Sequence, residues 1–194
     1  MSTVPIFADE KWQLPSRGKT AMLSLIIGEC GIFGIFLAAY IFYIGRSLYG
    51  PTPSILEVPI FNTVCLLSSS LTIWMAEHAI ERGRMRAFGA WWGLTIVLGL
   101  IFISGTLAEW RNLITQHGFT IHTNLFGTTF YSLVGLHATH VVIGLIGLSI
   151  IMLFTLLGKV NQSHSERIQV FALYWHFVDA VWVVVFITVY IVGR

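Results

Sequence analysis

Five long apolar runs dominate the chain, separated by polar, glycine, proline or charged punctuation: Ala21 to Tyr43, Phe61 to Met75, Phe88 to Leu107, Thr128 to Leu157 and Gln169 to Val192. A helix needs about 20 apolar residues to cross a bilayer, and all but the second run supply that length. The second needs Ile55 to Ile60 to extend it, with Pro59 tolerated in a first turn whose amides have no helical partner. The fourth would reach about 45 Å at 1.5 Å per residue, so it must tilt or project beyond one membrane face. The pattern predicts an all-α integral membrane bundle of five transmembrane helices. Residues 1–20 form an N-terminal segment and residues 21–194 the membrane domain, with no repeat or linker between them.

Composition agrees with this and removes alternatives. The chain is 56% hydrophobic and only 10% charged, with a mean hydropathy of +0.79, whereas soluble domains carry about a quarter charged residues. In 194 residues, five spans leave no length for a separate soluble domain. The net charge of +2 is gathered in loops, so no nucleic-acid-binding surface is indicated. Cys30 and Cys65 lie inside apolar runs without metal or disulfide spacing, and read as small packing residues. Asp9, Glu10, Lys11 and Arg17 interrupt the first 20 residues, which argues against a cleaved signal peptide.

Orientation follows from the basic loops, because cytoplasmic loops carry the excess of Lys and Arg. Lys11, Arg17, Lys19, Arg82, Arg84, Arg86, Lys159 and Arg167 fall on one side, against Arg46, Arg111 and Arg194 on the other. This predicts a cytoplasmic N-terminus and an outside C-terminus. Arg82, Arg84, Arg86, Lys159 and Arg167 are then candidate contacts for phospholipid headgroups.

The polar residues inside the runs carry any chemistry the chain has. Glu29 lies about nine residues into the first run, roughly 13 Å below the surface by helical rise. An acid there costs a few kcal/mol, so it is expected to be neutral, paired, or facing protein or water. A structural pair and a proton-exchanging or partner-contacting group remain equal readings. His137 and His140, and His176 and Asp179, are pairs at i, i+3, each on one helix face. Two histidines from one turn cannot clamp a haem, and a metal site would require convergence with Glu29, His176 or Asp179. Hydrogen bonding between helices is the favoured reading. Ser68, Ser69, Ser70 and Thr72 read as packing residues. The steps Gly28, Gly31, Gly34 and Gly144, Gly147 read as close helix contacts, and Glu109 with Trp110 as an interface anchor. No P-loop, G-x-G-x-x-G, G-x-S-x-G or H-E-x-x-H pattern occurs.

The stretch Tyr174-Trp175-His176-Phe177-Val178-Asp179-Ala180-Val181-Trp182 is similar to the Y-W-H-F-V-D-x-V-W signature of subunit III of the haem-copper terminal oxidases. Phe130 to Gly144, with Gly135, His137 and His140, resembles the family's F-[FY]-x-x-x-G-x-H-x-x-H-V-x-x-G stretch. Asn62-Thr63 with Leu66-Leu67 and Ser69-Ser70 resembles N-T-x-x-L-L-x-S-S. Glu29 with Phe33 and Phe36 resembles the family's buried glutamate and its phenylalanines. Gln169 stands where relatives often have glutamate, and Cys30-Gly31-Ile32 replaces bulkier residues.

The resemblance implies a five-helix accessory subunit of a proton-pumping oxygen reductase of the cytochrome c oxidase type, in a bacterial-type inner membrane. Its implied partners are oxidase subunit I, other oxidase subunits and phospholipids held in a cleft. Haem and copper are implied in the partner subunits and none in this chain. Its implied role is to support proton uptake and turnover stability. A subunit III-like protein of a nitric oxide reductase or quinol oxidase system is the near alternative. A small proton-coupled transporter or a membrane metalloenzyme is the distant one, and the transporter reading lacks the internal repeats it calls for.

Overall fold

A computed structural model describes residues 16–44, 46 and 55–192, and all regular structure among them is helical. The helices are α1 (Arg17–Tyr43), α2 (Ile60–Glu81), α3 (Met85–His117), α4 (Leu125–Leu156) and α5 (Ser165–Phe186). The last continues as a wider π-helical segment over Ile187–Val192. All five, α5 taken with its flanking turns, are long and apolar enough to cross a membrane. Lys11 and Arg194, used in the charge count, lie outside the described residues.

The helix ends follow local chemistry. The Ser16 side chain accepts from the Lys19 amide at 3.4 Å and opens α1. Asn124 accepts from Gly127 N at 2.8 Å and opens α4. Both satisfy amides that have no partner within the first turn. Gly83, at φ 68°, reverses the chain between α2 and α3, and Arg84 N reaches back to Ala79 O at 2.9 Å.

The second helix corrects one expectation. Ile55 to Pro59 do not extend it, and Pro59 precedes its first residue. The missing length comes from the other end, where Ala76 to Glu81 continue the helix beyond Met75. Glu77 and His78 were hidden from a hydropathy reading because polar side chains ended the apolar run, although Ala76, Glu77 and Ala79 favour helix well enough to prolong it. The third helix likewise runs to His117. At 33 residues it reaches about 50 Å and projects past the hydrocarbon.

Helices α2 and α3 form an antiparallel hairpin joined by the Gly83 turn, while α5 packs against α1, α2 and α4. Three fully buried tryptophans hold these neighbours together. Trp92 donates to Leu148 O at 2.9 Å, Trp175 to Ser69 Oγ at 2.8 Å, and Trp182 to Thr63 Oγ1 at 3.2 Å. Thr72 and Thr95 join α2 to α3 at 2.7 Å. Such bonds contribute roughly 0.6 to 2 kcal/mol each in lipid, where dispersion and fit supply the rest.

The two glycine series part company. A Cβ on Gly144 would stand 2.8 Å from the Trp175 ring, and one on Gly147 would run into Phe171. Gly144 and Gly147 therefore make close contacts, as expected. A Cβ on Gly28, Gly31 or Gly34 would meet nothing within 4 Å. These glycines lie on a face of α1 that touches no other part of the described chain.

Candidate functional site

The intramembrane acids and histidines divide into two sets held by different helix pairs. In the first, α1 presents Glu29 to α4, and Glu29 Oε2 lies 3.1 Å from His140 Nε2. The other ring nitrogen of His140 donates to Leu136 O at 2.8 Å, which fixes its tautomer and aims Nε2 at the acid. The Phe33 ring lies against the imidazole with centroids 5.1 Å apart. The Glu29 side chain remains 22% exposed, so the pair sits at the margin of the bundle.

The second set runs between α2 and α5. The Ser70 hydroxyl donates to Asp179 Oδ2 and lies 3.1 Å from His176 Nδ1. On the far side of the ring, His176 Nε2 is 3.7 Å from Glu77 Oε2. The result is a line of groups, Glu77, His176, Ser70 and Asp179, leading from the half-buried margin to the buried Asp179. His176 and Asp179 do share a face, as the i, i+3 spacing requires. Ser70 is more than a packing residue, because it bridges them.

His137 and His140 diverge despite their spacing. His137 is wholly buried, stacked on Trp182 at 4.9 Å and edge-on to Phe102 at 5.8 Å. Neither of its ring nitrogens has a hydrogen-bond partner. No group of three or more His, Cys, Asp or Glu among the described residues is arranged to hold a metal. Both nitrogens of His140 and of His176 face partners, and aromatic rings enclose His137.

Sequence reasoning missed Ser70 as a bridge and missed Glu77 altogether. The available signal for Glu77 was its position seven residues, two helical turns, after Ser70, which puts both on the face that meets His176. Glu109 lies within α3, which continues past it to His117, and its Oε1 accepts from Tyr190 OH at 2.9 Å. With Glu57, Asn62, Asn112 and His117 it lines a cavity of about 300 Å³. Gln169, at the opposite end, donates to Glu81 Oε1 at 2.6 Å. A glutamate at that position would place two carboxylates together. Cys65 is buried and Cys30 exposed, and both are free.

Arg82, Arg84, Arg86, Lys159 and Arg167 are all exposed. They gather where α2 and α4 end and where α3 and α5 begin, at the same end of the bundle as Arg17. Arg82 and Arg84 line a groove between α2 and α3.

Fold and site together define a polytopic membrane protein whose intramembrane polar groups bind one another across helix pairs. The sequence profile of the family Cytochrome c oxidase subunit III matches residues 47–194. A cytochrome c oxidase subunit 3 from Alkalihalophilus pseudofirmus is 33% identical over 169 residues, covering 86% of this chain and 82% of that one. Those of Thermostichus vulcanus and Bacillus subtilis are 32% and 33% identical, covering 97% and 95% of this chain and 94% and 91% of theirs. The chain belongs to the cytochrome c oxidase subunit III family, and is an accessory subunit of a haem-copper oxidase.

Proposed function

We propose that the chain supports the catalytic subunit, oxidase subunit I, by aiding proton uptake and prolonging turnover, with phospholipids bound around its helices. Haem and copper reside in the partner subunits. The complex sits in a bacterial inner membrane with this chain's N-terminus cytoplasmic, a placement favoured by the basic end of the bundle. The bacterial relatives fit that setting.

The observation that carries this reading is the Glu29–His140 pair. It is an acid–base pair inside a span, on the helix least wrapped by the chain's own bundle, with part of the carboxylate open to a neighbour. Intramembrane acids are costly, and a paired one at a bundle margin suits proton exchange with an adjacent subunit better than internal support alone.

The test is Glu29→Gln in the intact oxidase, because Gln keeps the shape and hydrogen-bonding capacity of a neutral acid. The complex should assemble, retain its haem and reduce oxygen at an initial rate near that of the unaltered enzyme. Activity should decay sooner over many turnovers. An initial rate near zero in a fully assembled, haem-replete complex would place Glu29 on an obligatory proton path and overturn the accessory reading.

A further inference from the structure

The turn between α2 and α3 builds a groove that combines two arginines with an aromatic wall. Its lining includes Trp74, His78, Arg82, Arg84, Ala87 and Trp91, and its volume is about 240 Å³. Gly83 stands between the two arginines at φ 68°, so the backbone reverses there and both side chains reach the same groove. The turn is firmly closed. Gly83 N bonds Ile80 O at 2.9 Å, and Arg84 N bonds Ala79 O at 2.9 Å. Gln162 braces it from the start of the last span, donating to Glu81 O at 2.6 Å.

The groove's polar and apolar parts are separated along its length. The arginines occupy the mouth at the end of the helices, and neither forms an ion pair with a carboxylate among the described residues. Trp74 lies two turns deeper along α2, and Trp91 nearly two turns along α3. His78 is held between these zones, its Nδ1 donating to Trp74 O at 3.0 Å and its ring 4.2 Å from the indole. Two guanidiniums at a helix end match a phosphate diester in charge and donor geometry. Indole rings at that depth suit the glycerol and upper acyl region of a lipid.

We infer that this groove is a binding site for one anionic phospholipid, its phosphate held by Arg82 and Arg84 and its glycerol and upper acyl chain laid along Trp74 and Trp91. This rests on the proposed lipid binding of the subunit and narrows it to one place and one headgroup class. Lys159 and Arg167 share the basic end but stay outside the groove. They provide internal controls.

The experiment uses the intact oxidase, stripped of lipid in detergent and titrated with phosphatidylglycerol or phosphatidylcholine, with bound lipid counted by native mass spectrometry. The unaltered complex should bind one phosphatidylglycerol more tightly than phosphatidylcholine. The double variant Arg82→Gln, Arg84→Gln should weaken that binding roughly tenfold or more, given about 1 kcal/mol per basic residue near an anionic surface. Lys159→Gln with Arg167→Gln should leave it unchanged. Ala87→Phe, which fills the groove and keeps both charges, should weaken it at least as much, and so provides the reading if the arginine variant fails to assemble. Equal binding of the two lipids, or loss on changing Lys159 and Arg167 alone, would overturn the site while leaving lipid binding by the subunit intact. No retained or rebound lipid on any form of the complex would overturn both.

Discussion

Helices α1 and α4 both step glycines along one face at intervals of three, yet the bundle uses the two faces in opposite ways. On α4, Gly144 and Gly147 admit Trp175 and Phe171 from α5, so the absence of a side chain becomes a close contact. On α1, Gly28, Gly31 and Gly34 front open space. Burial tells the same story: α1 buries only Phe33 and Tyr40, whereas α5, which faces α4, buries nine residues. The acids follow their helices. Asp179 on α5 is enclosed, with Ser70 bonded to it and His176 reached through that hydroxyl, while Glu29 on α1 has one partner and an open side. A small residue or an acid in a span thus acquires its meaning from what the neighbouring helix places opposite it.

The contrast is most severely tested by filling a used glycine. Gly144→Leu would drive a branched side chain into the Trp175 ring, which is itself fixed by Ser69 and flanked by Gly99. Overpacking of this kind costs about 1–3 kcal/mol and more where the neighbour is rigid. The expected outcome is loss of this subunit from the purified complex, read on a denaturing gel. Normal incorporation would mean that α4 and α5 are less tightly coupled than their geometry indicates.

Removing the enclosed acid comes next. Asp179→Leu keeps the branched outline but removes the acceptor of the Ser70 hydroxyl, which is left with His176 Nδ1 alone, and it places a larger apolar side chain beside that pair. Losing a buried hydrogen bond of this kind costs about 0.5–1.5 kcal/mol. The complex should assemble yet release this subunit at a lower temperature, measurable by heating followed by size-exclusion chromatography. His140→Leu is the matched change at the margin. It strands Glu29, but that carboxylate is 22% exposed and has somewhere to turn. Its effect on the same release temperature should therefore be smaller than that of Asp179→Leu. Equal shifts would erase the distinction between enclosed and marginal acids.

The smallest effect belongs to Gly31→Ala. Within the chain, the added methyl meets nothing, and alanine favours helix over glycine by up to about 1 kcal/mol. Stability of the subunit should be unchanged or slightly raised. Loss of assembly instead would show that another subunit lies close against this face, and would sharpen the contrast by giving the α1 glycines a contact outside their own chain.

The number and rough placement of the spans are legible in the chain alone, because hydropathy over some twenty residues is a property of consecutive positions and bilayer thickness sets the scale. So are the family, through the Tyr174 to Trp182 and Phe130 to Gly144 stretches, and the gathering of basic residues in alternate loops. Spacing correctly placed His176 and Asp179 on one face, since an i, i+3 relation lies within a single helix. It could not say where that face pointed. The packed bundle was needed to show that His140 meets Glu29 while His137 is shut between Trp182 and Phe102, and that Ser70 on α2 reaches His176, 106 positions away on α5. The extension of α2 through Glu77, which brings that acid to His176, was concealed by the polar side chains that end the apolar run. Local composition fixes which segments enter the membrane, but partners across helices depend on rotation and packing that no single segment encodes.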